Sequence, residues 1–176
     1  AIIGCGGVGM AAVNGAFVAG AGRIIAVDTN PSKLQLAAKL GATDLVNPND
    51  GDPVEQIMEL TDGGVHHAVE CLGLKLTAEQ SFQMLATGGT ATIVGMVPFG
   101  EKIELHGFDF LRERKIQGSS MGSNRFRVDM PRLIEFYMQG RLHLDDWISD
   151  RISLTEINEG FAAMKAGKVV RTVIDF

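Results

Sequence analysis

The stretch AIIGCGGVGM (residues 1–10) decides the fold of this chain. Gly4, Gly6 and Gly9 have the GxGxxG spacing, and they stand between a short apolar run and a segment with a helical pattern. Gly4 permits a tight turn, Gly6 leaves room for a pyrophosphate, and Gly9 lets the helix approach the strand. The spacing predicts a strand, a phosphate-binding turn and a helix, in that order.

The start of this helix supplies the donors that a phosphate needs. Free backbone amides around Gly7 and Val8 would face the anion, and the helix dipole favours a negative charge at that end. Because an apolar strand precedes the glycines and a helix follows them, a glycine turn without a ligand is the weaker interpretation.

An acidic residue stands where this interpretation requires one. Asp28 ends the next apolar run, about 20 residues after the glycines. Its carboxylate can accept hydrogen bonds from an adenosine ribose diol, whereas it would repel a 2′-phosphate. A hydrogen bond to a charged group contributes roughly 1.5–3 kcal/mol, so we predict a preference for NAD over NADP of at least about tenfold. The alternative, in which Asp28 only caps a turn, stays open.

Short apolar runs alternate with helical patterns along most of the chain. This alternation predicts an α/β fold, a Rossmann-type doubly wound parallel sheet of six strands with helices on both faces. Asn30 and Pro31 provide a helix start, as do Asp129 and Pro131, whose helix would close at Gly140. Strands are predicted at residues 1–3, 24–27, 45–47, 66–70, 91–94 and 115–119, and helices at 7–20, 31–40, 53–61, 76–85 and 129–140.

The last part of the chain has a different pattern. A predicted helix over 155–166 carries Ile157, Phe161 and Met164 on one stripe, and a strand over 169–176 follows. These apolar side chains need a surface that a six-stranded sheet does not supply. We therefore expect residues 1–147 to form a nucleotide domain with a shortened first strand, and 148–176 to belong to a second domain.

Composition excludes several functions. The 176 residues carry a formal net charge of −5 and no apolar run long enough to span a bilayer, so we expect neither a nucleic-acid nor a membrane partner. The basic residues between 112 and 132 are better explained as a solvated or dimer-facing surface. Two cysteines without a disulfide pattern, and no secretory signal, predict a cytoplasmic location. Cys5 is expected to be a packing residue rather than a nucleophile.

The chain offers no metal site or catalytic group that can be recognised from spacing. The four histidines, His66, His67, His106 and His143, have no ligand spacing with the cysteines. Asp145 and Asp146 are adjacent, and neighbouring residues rarely converge on one reacting atom. We therefore predict neither a metal ligand nor a catalytic residue within this chain.

Several stretches, in this order, resemble the zinc-type alcohol dehydrogenases of the medium-chain dehydrogenase/reductase superfamily. The resemblance covers almost the entire chain and is carried by GCGGVG (4–9), RIIAVD (23–28), KLGATDLVNP (39–48), GGVHHAVECLG (63–73), ATIVGMVP (91–98), KIQGSSMGS (115–123), INEGF (157–161) and VVRTVIDF (169–176).

The resemblance implies a set of cofactor-binding residues beyond the glycines and Asp28. They are Lys33 at the adenosine ribose, Arg171 at the pyrophosphate, Cys71, Leu72 and Gly73 along the cofactor's path, Val8, Val94, Gly95 and Met96 towards the nicotinamide, and the backbone around Ser119 and Met121 at its carboxamide.

The resemblance also implies a function. The whole enzyme would transfer a hydride between an alcohol or aldehyde and NAD, with zinc held by a catalytic domain that precedes residue 1 and takes back the tail. This chain alone would bind NAD and turn over nothing. It would form a homodimer or a higher homo-oligomer through the strand Lys115 to Ser119. Two alternatives stay open: a zinc-free quinone or enoyl reductase of the same superfamily, against which Gly4 and Asp28 count, and a stand-alone NAD-sensing module.

Overall fold

The computed structural model describes all residues, Ala1–Phe176. Its strands are β1 (Ile2–Ile3), β2 (Ile25–Val27), β3 (Asp44–Val46), β4 (Val65–Glu70), β5 (Leu85–Ile93), β6 (Lys115–Gly118), β7 (Ile148–Ser153) and β8 (Arg171–Asp175). Its α-helices are α1 (Gly7–Val18), α2 (Pro31–Lys39), α3 (Pro53–Thr61), α4 (Lys75–Gln83), α5 (Phe126–Met138) and α6 (Ile157–Lys165). None of the helices is both long and apolar enough to cross a membrane.

Six strands form one parallel sheet in the order β3-β2-β1-β4-β5-β6. The strand order reverses beside β1, because the chain runs outward to β2 and β3 on one side and to β4, β5 and β6 on the other. Ligands of such sheets bind outside the carboxyl ends of the strands at this reversal point. The predicted Rossmann-type fold is confirmed, and it places the glycine turn at that point.

Alternation along β1 builds a separate core on each face of the sheet. Ile3 packs into a buried cluster with Phe82 of α4, whereas Ile2 packs into a second cluster with Met10 of α1 and Leu34 of α2. Burying each of these side chains contributes about 1.5–3 kcal/mol. The predicted arrangement of helices on both faces therefore has a direct cause in the alternating side chains of the strands.

The predicted element boundaries were wrong around β5 and α5, and β5 itself begins six residues before its predicted start at residue 91. The helix predicted to end at residue 85 ends at Gln83, and Leu85 already begins β5. The helix predicted to begin at Asp129 begins at Phe126, so Pro131 lies inside it rather than at its first position. Asp129 instead accepts a hydrogen bond from the backbone N–H of Arg125 at 2.7 Å. Since this bond supports the first turn, the helix can begin before the proline.

Residues 148–176 form a small unit of their own. Strands β7 and β8 pair in parallel as a two-stranded sheet that is not hydrogen-bonded to the larger one. The helix between them, α6, follows a 3₁₀ turn with a capping box made by Ser153 and Glu156. Phe161 and Met164 of α6 remain 58% and 59% exposed. The assignment of this unit to a second domain stays a prediction.

Candidate dinucleotide site

The glycine turn has the geometry that its spacing predicts. Gly4 has a φ of +88°, and its N–H donates to the carbonyl of Val27 at 2.8 Å. A Cβ at Gly9 would lie 1.7 Å from the carbonyl oxygen of Gly4, whereas a Cβ at Gly6 would meet no atom within 4 Å. Gly9 is therefore required for the contact between α1 and the turn, and Gly6 leaves open space.

The N-terminus of α1 faces this open space. Gly6 is the N-cap, and no side chain accepts a hydrogen bond from the first turn of the helix. The guanidinium of Arg171, at the start of β8, lies close by, because its Nη2 is 3.3 Å from the position of a Cβ at Gly7. Uncapped amides and a guanidinium are the groups that bind a phosphate, and the structure brings them together.

Asp28 lies on the other side of the turn, where it both braces the backbone and remains accessible. One carboxylate oxygen accepts from the N–H of Cys5 at 2.8 Å, and the other accepts from the N–H of Asn30 at 2.8 Å. Asp28 therefore does cap a turn, as the alternative interpretation required. Because each carboxylate oxygen can accept a second bond, this cap leaves acceptor capacity for a ribose diol.

Lys33 extends from α2 towards the tail. Its Nζ is 3.8 Å from the position of a Cβ at Gly167, the residue that closes α6 towards β8. It forms no ion pair with Asp28, although its charge is near enough to favour ionisation of the Cys5 thiol. Lys33 and Arg171 are therefore two cations at the same end of the sheet, and a role at the adenosine ribose stays a prediction.

Two backbone segments follow β4 and β5 at the same sheet edge, residues 71–73 and 94–96. They cross at close range, because a Cβ at Gly73 would lie 2.5 Å from the carbonyl oxygen of Met96. Leu72 and Met96 are 51% and 89% exposed, so apolar side chains line the open side of this crossing. These are the residues that the resemblance assigns to the path of the cofactor.

The end of β6 completes the edge. The N–H of Ser119 donates to the carbonyl of Ile93 at 2.9 Å, which continues the ladder one residue beyond β6. Met121 has a φ of +52° and is 88% exposed. All sixteen predicted site residues therefore lie at or beside the carboxyl edge of the sheet or, in the case of Arg171, reach it from the tail. Their roles in binding stay predictions.

Both thiols lie near this site and are poor nucleophiles. Burial, and secondarily the charge of Asp28, raises the pKa of Cys5 to about 12. Burial, and secondarily the charge of Glu70, raises the pKa of Cys71 to about 12. Since the thiolate is the reactive form, these side chains are suited to packing. No three His, Cys, Asp or Glu side chains come close enough to hold a metal ion.

Sequence reasoning missed one residue at this edge. Glu70, the last residue of β4, is fully buried, and its carboxylate accepts hydrogen bonds from the N–H groups of Leu72 and Gly73. The available signal was an ionisable residue at the end of an otherwise apolar strand, immediately before a predicted cofactor segment.

Comparisons with known proteins agree with this geometry. A family described as "Zinc-binding dehydrogenase" matches residues 7–138. Alcohol dehydrogenase 1 of Trifolium repens is 41% identical over 99% of this chain and 47% of its own length. A crystal structure of an alcohol dehydrogenase zinc-binding domain protein from Burkholderia ambifaria superposes with a TM-score of 0.95 at 35% identity, over 99% of this chain and 47% of that one.

A third comparison concerns the cofactor. The structure of a zinc-binding dehydrogenase from Sinorhizobium meliloti 1021, bound to NADP, superposes with a TM-score of 0.89 at 35% identity, over 98% of this chain and 50% of that one. The chain spans about half the length of the curated relatives it matches. The resemblance read from the sequence is confirmed, and the chain belongs to the zinc-binding dehydrogenase family.

Proposed function

We propose that this chain is the NAD-binding part of an oxidoreductase that transfers a hydride between an alcohol or aldehyde and NAD. The observation that carries the proposal is the open glycine turn at the reversal point of the sheet. An uncapped helix N-terminus and Arg171 lie on one side of it, and the carboxylate of Asp28 lies on the other. A pyrophosphate fits the first pair of groups, and a ribose diol fits the second.

The chain's own contribution to the reaction is binding and orientation. When bound, NAD would accept the hydride through its nicotinamide, and the protein would fix where that ring lies. The glycine turn would hold the pyrophosphate, and segments 71–73 and 94–96 would bound the nicotinamide half. The protonated thiols of the buried Cys5 and the partly buried Cys71 contribute shape rather than proton transfer.

We propose that zinc takes part in the reaction and that its ligands lie outside this chain. Within these 176 residues, no group of three or more potential ligands is close enough to hold a metal ion. We therefore propose that a longer protein supplies the zinc ligands and the substrate pocket, and that this chain alone binds NAD without oxidising an alcohol.

Equilibrium titration of the chain with NADH and with NADPH tests the cofactor assignment. Nicotinamide fluorescence reports binding, and we expect NADH to bind at least about tenfold more tightly because of Asp28. The NADP bound to the Sinorhizobium meliloti neighbour makes this comparison necessary. Equal affinity for the two cofactors would remove the NAD assignment, and no binding of either would overturn the proposed function.

We also propose that the chain forms a homodimer through β6. This strand is at the edge of the sheet and pairs only with β5. An apolar hollow of about 480 Å³ adjoins it, lined in part by Val97, Ile103 and Ile116. An open strand edge beside an apolar surface favours pairing with a second copy. Sedimentation equilibrium tests the proposal, which fails if the mass remains 18.8 kDa at high concentration.

A further inference from the structure

Glu70 is a buried carboxylate with an uneven set of hydrogen bonds. It has no solvent exposure, and its Oε1 accepts from the N–H groups of Leu72 and Gly73 and from the hydroxyl of Thr77, each at 2.8 Å. Its Oε2 is equally buried and has no hydrogen-bond partner. No cation forms an ion pair with it. Burying such a group is costly, so its place in the fold requires an explanation beyond packing.

Glu70 also forms hydrogen bonds with the residues that follow β5. The backbone carbonyl of Glu70 accepts from the N–H groups of Val94 and Gly95 at 2.9 and 3.0 Å. Glu70 therefore forms hydrogen bonds with both segments. Its side chain binds segment 71–73, and its backbone carbonyl binds segment 94–96.

At Gly95, segments 71–73 and 94–96 lie so close together that no side chain fits between them. A Cβ at Gly95 would lie 2.6 Å from Oε2 of Glu70 and 2.1 Å from the backbone nitrogen of Gly73. Since no side chain can fill the space between the two segments, their separation depends on the Glu70 carboxylate and on the backbone itself.

We propose that Glu70 is a positioning residue for the nicotinamide half of the dinucleotide. The inference rests on the proposed function, because it takes segments 71–73 and 94–96 as the walls of that half. Asp28 braces the turn on the adenosine side, through Cys5 and Asn30. The two halves of the cofactor are thus positioned by different carboxylates, on opposite sides of the glycine turn.

This separation gives a test that distinguishes positioning from general stability. ADP-ribose has the adenosine, the pyrophosphate and both riboses of NAD but lacks the nicotinamide. Calorimetric titration of the 176-residue chain and of Glu70→Ala with NADH and with ADP-ribose compares the two halves. We expect Glu70→Ala to weaken NADH binding about tenfold and ADP-ribose binding less than about threefold, because the N–H groups of Leu72 and Gly73 lose their acceptor.

Two further variants serve as controls. Ser81→Ala removes a buried polar group that is not hydrogen-bonded to either segment, because the Ser81 hydroxyl on α4 donates only to the carbonyl of Ala78 in the same helix. It should leave the ratio of the two affinities unchanged. Glu70→Gln retains an acceptor oxygen for Leu72 and Gly73, so it should restore most of the NADH affinity that Glu70→Ala loses.

The outcomes separate the two proposals. If the unmodified chain binds neither ligand, the proposed function fails. If it binds both, and Glu70→Ala weakens both to the same extent, the positioning role is overturned while the proposed function stands. If circular dichroism shows that Glu70→Ala does not fold, Thr77→Val replaces it in the test. Thr77→Val removes the hydroxyl that donates to Glu70 while nearly preserving the shape of the side chain. An unchanged affinity ratio in Thr77→Val would then overturn the positioning role.

Discussion

At the scale of single residues, Asp28 combines two tasks that are usually discussed separately. Its carboxylate fixes the turn through the N–H groups of Cys5 and Asn30, and it keeps acceptor capacity towards the open space. The sequence alone predicted the ribose contact and offered the turn cap as a competing explanation. In three dimensions the two are compatible, because a carboxylate has more acceptor sites than either task requires.

Substituting Asp28 should therefore weaken the binding of NADH more than the binding of NADPH. We expect Asp28→Gly to reduce the ratio of NADH to NADPH affinity about tenfold or more, because the ribose bonds and the repulsion of a 2′-phosphate are both lost. Asp28→Asn is the matched control for volume, and it should lose the charge repulsion while keeping one turn bond. Fluorescence titration measures both ratios, and an unchanged ratio in Asp28→Gly would contradict the assignment.

At the scale of elements, the sequence predicted those features that depend on local sterics. Gly4, Gly6 and Gly9 could be assigned roles in advance because a turn, a phosphate site and a helix contact each exclude a side chain. The end of α4 could not, since Leu85 continues the apolar spacing of a helix from Phe82 and also suits the start of a buried strand. Pro131 predicted a helix start at about residue 129, but α5 begins earlier, because the backbone N–H of Arg125 donates to the carboxylate of Asp129 and supports an earlier first turn.

The contact between α1 and the glycine turn gives a comparison within one helix. Gly9→Ala should lower the free energy of unfolding by about 3 kcal/mol, because its Cβ would overlap the carbonyl of Gly4. Gly15→Ala, where a Cβ meets nothing within 4 Å, should raise it by about 0.5–1 kcal/mol. Urea denaturation of the two variants measures both effects. Equal effects would contradict the role given to Gly9.

An ion pair links β3 to the residues before β2 and predicts a pH dependence. The hydrogen bonds from Arg23 to Asp44, at 2.7 and 2.8 Å, lower the pKa of that carboxyl to about 2. Since the folded-state pKa lies below the unfolded value of about 3.9, the stabilisation is present above pH 4 and is lost as the pH falls towards 2. The pair is partly exposed, so we expect about 1 kcal/mol.

Asp44→Asn tests this dependence. It should lower the free energy of unfolding by about 1 kcal/mol at pH 7, and this effect should shrink as the pH falls through 2, where the carboxyl of the unmodified chain becomes protonated. Asp50→Asn, at an exposed carboxyl without an ion pair, is the control and should have little effect at either pH. A loss of stability in Asp44→Asn that does not depend on pH would contradict the ion-pair explanation.

At the scale of the whole molecule, large apolar side chains remain exposed on α5 and α6. None of the residues of α5 is buried, and Phe126, Ile134 and Met138 are 62%, 61% and 76% exposed. Apolar surface of this extent is typical of a region that contacts another protein surface. The exposed Phe161 and Met164 of α6 agree with the proposal that residues 148–176 belong with a second domain, which the sequence pattern of α6 suggested.

The exposed surface should be detectable in solution. We expect the chain to bind an apolar fluorescent dye in its native state and to scatter more light as its concentration rises. Phe161→Glu with Met164→Glu, which places charges on α6, should reduce dye binding while leaving NADH binding unchanged. Monodisperse behaviour without dye binding would contradict the expectation and favour a stand-alone module.

Arg171 gives the small tail sheet a thermodynamic connection to the glycine turn. The guanidinium reaches the start of α1 only while β8 is in place, so under the proposed function part of the cofactor's affinity is supplied by the docking of the tail. The docking of the tail and the binding of NAD are two linked equilibria, and such linkage is reciprocal. NAD binding would therefore stabilise the docking of β7 and β8 by the same free energy by which their docking stabilises the binding of NAD. The backbone amides of the tail would consequently exchange with deuterium more slowly once the cofactor is bound.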